Sequence, residues 1–278
     1  MALPQSYIDN IINTALAEDI NYVDVTTDYL IGDDDTTEAY YIAKDEGVLC
    51  GIDIAKRVFE ILDENIVFDI KIHDGEKVRN GDIIATLSGS TKNLLKGERT
   101  ALNILQHMSG IATATNLCVR LVEGTNARIT DTRKTLPGLR ALQKYAVTIG
   151  GGKNHRFNLS DGAMLKDNHI DAGGGITKTV GILREKIGHM VKIEVEVRNL
   201  DELREALDAK ADIIMLDNMS CEDMAEAVKI TDGKALLEAS GNVTAENIRK
   251  IAETGVDIIS LGALTHSVKC FDISMKIK

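Results

Sequence analysis

The chain has 278 residues, enough for one large α/β barrel or for two domains, and its 44% hydrophobic and 27% charged residues describe a folded protein rather than a disordered chain. A net charge of −11, with four Phe and no Trp, argues against a general nucleic-acid or anionic-membrane surface, which needs a broad basic face or aromatic stacking platforms. Apolar runs such as ADIIML fall far short of a membrane span and MALP opens no signal peptide, so a cytoplasmic protein is expected, with neither membrane nor nucleic acid as partner.

Residues 1–103 have the texture of a hairpin-rich α+β unit. YYIAKDEGVLCG (40–51) and FDIKIHDGEKVRNGDIIATLSGS (68–90) read as strands broken by Asp-Gly and Asn-Gly turns, and AKRVFEILDE (55–64) reads as a helix covering one face of their sheet. The acidic LIGDDDTT (30–37) lacks a following Thr-Gly phosphate loop and reads as a solvated turn. A helix is expected over 98–123, its small residues Ser109, Gly110, Ala112 and Ala114 permitting close packing.

The segment 104–267 reads as a second domain. Two apolar runs, ARITDT (127–132) and AMLKDN (163–168), flank a cationic, Gly-rich insertion. From residue 191 a unit then repeats: VKIEVEV (191–197), DIIMLDN (212–218), ALLEASG (235–241) and DIISLGA (257–263), each followed by an amphipathic helix. Their terminal residues Glu196, Asp217, Ser240 and Gly262 are 21, 23 and 22 positions apart, the period of a (β/α) barrel or a related parallel sheet. Ser220 and Thr244 are expected to cap two of the helices, with Gly255 stopping the second. The closing VKCFDISMKIK (268–278) alternates in part like a strand and is expected to return to the first domain. Cys50, Cys118, Cys221 and Cys270 form no CxxC pair, so buried, reduced thiols are expected.

Parallel strands collect their active sites at their carboxyl ends. One rim therefore gathers Asp131, Arg133, Lys134, Lys166, Glu196, Asp217, Ser240, Gly241 and Gly262. Residues 131–169 carry seven Lys and Arg against three Asp, so the rest of the chain sums to −15 and the positive charge is concentrated there. Arg133, Lys134, Lys153, His155, Arg156 and Lys166 are too many cations for one phosphate, which implies a ligand set with several anionic groups. Glu196 and Asp217, at adjacent strand ends, suit Mg²⁺ or substrate hydroxyls. The turns EASGN and SLGALTHS, at the last two strand ends, suit a phosphate.

The ordered motifs DTRKTLPGLR, GGGKNHRFNLSDGAMLKDNHI, IEVEV, IIMLDN, LLEASGNV and SLGALTHSVKCFDIS resemble the quinolinate phosphoribosyltransferase family from about Glu98 to the C-terminus. EDINYVDVTT (18–27) is similar to the family's N-terminal signature, with Val23 where Gly is usual. The resemblance implies an incomplete, open α/β barrel of seven strands with an N-terminal α+β sandwich domain, in a homodimer with shared active sites. It implies transfer of the phosphoribosyl group of 5-phosphoribosyl-1-pyrophosphate (PRPP) to quinolinate with Mg²⁺, giving nicotinate mononucleotide, pyrophosphate and CO₂ in NAD synthesis. Carried over by position, Arg133, His155, Arg156 and Lys166 bind quinolinate, Arg99 reaches it from the partner chain, and Lys134 lies near the pyrophosphate. Glu196 and Asp217 are the ribose and metal carboxylates, and Ser240, Gly241, Gly262 and His266 form the 5′-phosphate pocket. The competing readings are a lyase with a Schiff base on Lys166, a transferase acting on nicotinate or another acceptor, and a non-catalytic ligand-binding barrel.

Overall fold

A computed structural model describes residues 3–278. Five strands precede the long helix Thr91–Leu121: β1 (Thr36–Ala43), β2 (Gly47–Val48), β3 (Val67–Ile70), β4 (Lys77–Val78) and β5 (Ile83–Ser90). Six follow it: β6 (Arg128–Thr130), β7 (Ala163–Leu165), β8 (Ile193–Val197), β9 (Ile213–Asp217), β10 (Leu236–Ser240) and β11 (Ile258–Ser260). The last, β12 (Ile273–Ile277), pairs with β1 from Ala43 opposite Ile273 to Ala39 opposite Ile277, which ties the chain's end to its beginning.

The chain divides into two compact units. The first runs to Asn116 and adds Thr135–Gly151 and Leu264–Lys278; the second is Leu117–Lys134 with Gly152–Ala263. Strands β12-β1-β5-β3 of the first unit form an antiparallel sheet, and β2 pairs with β4. Alternation in β1 buries Ala39, Tyr41 and Ala43, and the helix Ile52–Leu62 buries Ile52, Ala55, Val58 and Phe59 at helical spacing. Tyr41, Phe59 and Phe68 meet with ring centroids 5.8–6.4 Å apart, and full burial of such a ring stabilises by about 1.5–3 kcal/mol. The helix starts at Gly51, whose φ of 101° is left-handed, and it has no side-chain cap of its own. Asp74 supplies one: its Oδ1 accepts from the Gly51 and Ile52 N–H groups at 2.8 and 3.0 Å, and its Oδ2 accepts from the Tyr145 hydroxyl at 2.9 Å.

The second unit is built on a parallel sheet in the order β6-β11-β10-β9-β8-β7. Its strands are covered on both faces, as in the apolar β9, where Ile214, Met215 and Leu216 are all buried. Among the described residues this sheet has six strands rather than seven. Beside β6, where a seventh would lie, Lys153 alone makes a parallel bridge to Thr130, its N–H donating to the Ile129 carbonyl at 2.8 Å. The Gly-rich IGGGKNH segment supplies one aligned residue there before turning into the site.

Ser220 caps the helix Cys221–Thr231 as expected, accepting from the Asp223 N–H at 3.0 Å. Thr244 does not cap its helix: its own N–H donates to Asn247 Oδ1, and the helix Ile248–Glu253 starts one turn later. All four cysteines are free, but only Cys50 and Cys118 are buried; Cys221 is half-buried and Cys270 exposed. Among the described residues no helix is long and apolar enough to cross a membrane.

Candidate active site

Because β6–β11 all run the same way, their carboxyl ends deliver side chains to one rim of the second unit. A cavity of ≈290 Å³ opens there and brings together Arg133, Lys134, His155, Arg156, Lys166 and Ser240, with Met164 and Met215 as apolar wall. Thr132 beyond β6 and Met164 on β7 come from opposite ends of the sheet, so the sheet must curve around the cavity they share. Glu238 and Ser260 close its inner side.

Lys166 follows β7 directly, and its Nζ donates to Glu196 Oε2 at the end of β8 at 2.9 Å. Half of the lysine side chain is exposed but only 13% of the Glu196 side chain. Asp217 ends β9 opposite Ser240 in β10. The following Asn218 has a left-handed φ of 52°, its N–H donates to the Ser240 carbonyl at 2.9 Å, and its Nδ2 donates to Asp217 Oδ2 at 3.0 Å. Asn242, at φ 49°, donates its Nδ2 to Asn218 Oδ1 at 2.9 Å. Between these turns Gly241 holds φ 91°, and a Cβ there would run into the Asn218 amide. The end of β9 and the turn after β10 are thereby locked together.

Glu196, Asp217 and Gly241 do not themselves line this cavity, and neither do the remaining expected residues Gly262, His266 and Arg99. Gly262 follows β11, just before the single helical turn Ala263–His266. His266 is exposed and its Nδ1 lies 2.7 Å from the Ser267 hydroxyl; it belongs to the first unit, as does the exposed Arg99 on the helix Thr91–Leu121.

The interior of the curved sheet is polar. His155 accepts the Arg156 N–H on Nδ1 at 2.8 Å, so its ring proton sits on Nε2. That nitrogen lies 3.1 Å from Glu194 Oε2 and 3.7 Å from Glu238 Oε1. The backbone N–H of His155 in turn donates to Asp131 Oδ1 at 2.9 Å, and Asp131 is fully buried. Burial first, and then the Glu194 charge, push the Glu238 carboxyl up to about 7, with Asp131 adding to the rise and His155 and Ser260 opposing it. Burial and the neighbouring Arg133 charge pull the Arg156 guanidinium below its usual value, against Glu194 and Asp161; its Nη1 donates to the Gly162 carbonyl at 2.8 Å.

Two features of this interior are only partly visible in the sequence. The alternation in IEVEV places Glu194 on the same face as Glu196, but its pairing with Glu238 requires β8 and β10 to flank β9 around a curve. Glu238 itself is a charged residue in the middle of the apolar run ALLEASG, two positions before Ser240 and on the same face, and that was the available signal. As a metal pair, Glu196 and Asp217 are hard oxygen donors at neighbouring strand ends, each with one oxygen already engaged by Lys166 or Asn218. Such a set fits Mg²⁺, which takes one or two carboxylates and completes its shell with water and substrate oxygens.

Two family models match the chain, the N-terminal domain of quinolinate phosphoribosyl transferase over residues 24–109 and its C-terminal domain over 111–276. A Bacillus subtilis protein described as a probable nicotinate-nucleotide pyrophosphorylase [carboxylating] is 46% identical over 270 residues, covering 97% of this chain and 93% of that protein. An Arabidopsis thaliana protein described as a chloroplastic nicotinate-nucleotide pyrophosphorylase [carboxylating] is 42% identical over 286 residues, covering 96% of this chain and 82% of that protein. The solved structure of nicotinate-nucleotide pyrophosphorylase from Francisella tularensis matches with a TM-score of 0.96 at 44% identity, covering 100% of this chain and 98% of that one. The chain belongs to the quinolinate phosphoribosyltransferase family.

Proposed function

We propose that the chain transfers the phosphoribosyl group of PRPP to the ring nitrogen of quinolinate and decarboxylates the adduct, giving nicotinate mononucleotide, pyrophosphate and CO₂ for NAD synthesis. The observation that carries this reading is the convergence of Arg133, Lys134, Arg156 and Lys166 on one ≈290 Å³ cavity in a chain of net charge −11. A pyridine dicarboxylate and a pyrophosphorylated sugar phosphate together need this number of cations. PRPP-dependent release of CO₂ from labelled quinolinate is its test.

The mechanism follows from the cavity. Arg133, Arg156 and Lys166 take the two ring carboxylates, the arginines by bidentate forks and the lysine as a point charge. His155, both of whose ring nitrogens face protein groups, holds the loop that presents Arg156 as well as lining the cavity. Lys134 faces the departing pyrophosphate, and Ser240 with Gly241 and Gly262 takes the 5′-phosphate. As the C1–O bond lengthens, positive charge grows on the ribose, and Glu196 and Asp217 stabilise it. The same two carboxylates would hold Mg²⁺, which when bound offsets the charge of the pyrophosphate. Alignment of two bound reactants can lower the barrier by up to ~7–11 kcal/mol, so no covalent nucleophile is required. A Schiff-base role for Lys166 is disfavoured because its ammonium is bonded to Glu196 and half exposed, whereas such lysines need a desolvated, apolar setting.

We read the curved parallel sheet as an α/β barrel open between β6 and β7, with the first unit as a sandwich domain. Arg99 would complete the site of a second copy in a homodimer, which mixing Arg99→Ala chains with Lys166→Ala chains tests by recovery of activity. The acidic composition and scattered cysteines favour a cytoplasmic enzyme.

A further inference from the structure

The reaction proposed above has a proton requirement that its cations do not meet. When the bond from C2 of the ring to its carboxylate breaks, CO₂ leaves and the electron pair stays on C2, which must end as C–H. Guanidinium groups do not give up protons near neutral pH, the Lys166 ammonium is bonded to Glu196, and Lys134 is assigned to the departing pyrophosphate. A separate acid is needed, placed inside the cavity and able to recover its proton from water.

Glu238 has that placement. It rises from the middle of β10, is 2% exposed, and lines the substrate cavity. It also lines a second cavity of ≈380 Å³, which reaches Ala163, Ile213 and Ile258 at the amino ends of β7, β9 and β11. Glu238 thus stands between the rim that holds substrate and the opposite end of the same sheet, and His155 and Arg156 are the other residues common to both cavities. Its Oε1 is buried with no hydrogen-bond partner among the described residues, and the same is true of Glu194 Oε1. Two buried carboxylates with open oxygens, side by side around one imidazole N–H, cannot both stay ionised without a large penalty.

The surroundings decide which one carries the proton. The single ring proton of His155 lies nearer to Glu194, at 3.1 Å, than to Glu238, at 3.7 Å, so Glu194 receives the hydrogen bond and Glu238, raised by burial and by the Glu194 charge, is the one that holds a proton. Around Glu238 stand Glu194 from β8, Asp131 beyond β6, His155 and Arg156 from the loop after Lys153, Ser260 from β11, and the apolar Met215 of β9 as its register partner. Two of these are buried anions; Arg156 makes its Nη1 hydrogen bond to the Gly162 carbonyl, and Arg133, Lys134 and Lys166 line the same cavity.

We propose that Glu238, as a carboxylic acid, is the catalytic group that delivers the proton to C2 after CO₂ departs, with Glu194 and His155 as positioning residues that keep it in the acid form. The step balances: the Glu238 O–H bond breaks, its proton forms the new C2–H bond with the pair left by CO₂, and Glu238 becomes a carboxylate beside Glu194. Repulsion between the two charges then draws a proton back from water in the second cavity. This inference rests on the decarboxylating reaction and fails separately from it.

The test uses the full-length wild type, Glu238→Gln and Glu194→Gln, with PRPP and quinolinate binding by calorimetry, thermal melting, and kcat between pH 5 and 9. PRPP-dependent CO₂ release by the wild type first establishes the reaction; without it the reaction reading itself falls. Given that release, Glu238→Gln should bind both substrates within about threefold and melt as a folded protein, yet lose roughly 100-fold or more in kcat, the scale of general acid catalysis. Wild-type kcat should fall as pH rises through about 7, the value to which burial and Glu194 push Glu238, and that limb should be absent in Glu238→Gln. In Glu194→Gln, which leaves Glu238 in place, the limb should move to lower pH because the repelling charge is gone. A Glu238→Gln enzyme with kcat within threefold of wild type, or a limb unmoved in Glu194→Gln, overturns the proposal.

Discussion

The Lys166 ammonium stands 2.9 Å from the Glu196 carboxylate and joins the end of β7 to the end of β8. With half of the lysine side chain in solvent, such a pair adds only about 0–1 kcal/mol to stability. Its value lies in holding the cavity-lining Lys166 in fixed register with an anion at the next strand end. Lys166→Met is therefore expected to shift unfolding by less than ~1 kcal/mol while kcat/KM falls by roughly 100-fold or more. A variant that loses several kcal/mol in denaturant titration would mark the bond as structural instead.

Arg133 and Arg156 line the same cavity, and the Arg133 charge is felt at Arg156. Two guanidinium groups this close favour a dianionic ligand between them. Replacing either with Ala should weaken quinolinate binding by about 2–4 kcal/mol and leave PRPP binding nearly intact, as read by isothermal titration. Equal losses for both ligands would contradict the assignment.

Glu238 makes a pH prediction that is independent of turnover. Its carboxyl is raised from 4.5 to about 7 in the folded chain, so the proton is held more tightly in the folded than in the unfolded state. The stability linked to that proton is fully present below pH ~4.5 and is lost as pH rises through about 7, an effect of at most ~3 kcal/mol. Glu238→Gln lacks this loss, so its stability relative to wild type should improve between pH 5 and pH 8 in urea unfolding. Parallel pH curves for the two proteins would rule out a buried acid at this position.

Gly241 holds φ 91° against the Asn218 amide. Gly241→Ala should cost about 1–3 kcal/mol of stability through backbone strain and the clash. The Asn218–Asn242 contact would open with it, so PRPP affinity should fall more than quinolinate affinity. Unchanged PRPP binding in a measurably destabilised variant would remove the turn from the phosphate site.

The repeat ending in Glu196, Asp217, Ser240 and Gly262 was legible because buried parallel strands are continuous apolar runs with a near-constant period, and β8 to β11 fall within them. The cation cluster was legible because its charge opposes that of the whole chain. That only six strands form was not legible: the resemblance implied seven, and the Gly-rich segment beside β6, where Lys153 makes an isolated bridge to Thr130, carries no strand pattern either way. Thr244 failed as a cap because Asn247 accepts from its N–H and delays the helix, a choice between two good capping residues three positions apart that depends on the turn. The Glu194–His155–Glu238 contact was out of reach for a different reason: the three lie on separate segments, and only curvature of the sheet brings atoms of all three within 4.8 Å.

The most direct test of the central claim is release of CO₂ from carboxyl-labelled quinolinate, measured with and without PRPP and with and without Mg²⁺. The account predicts stoichiometric CO₂ and nicotinate mononucleotide only when PRPP and Mg²⁺ are both present. Folded protein that binds PRPP but releases no CO₂ under those conditions, or that releases it without PRPP, would contradict it.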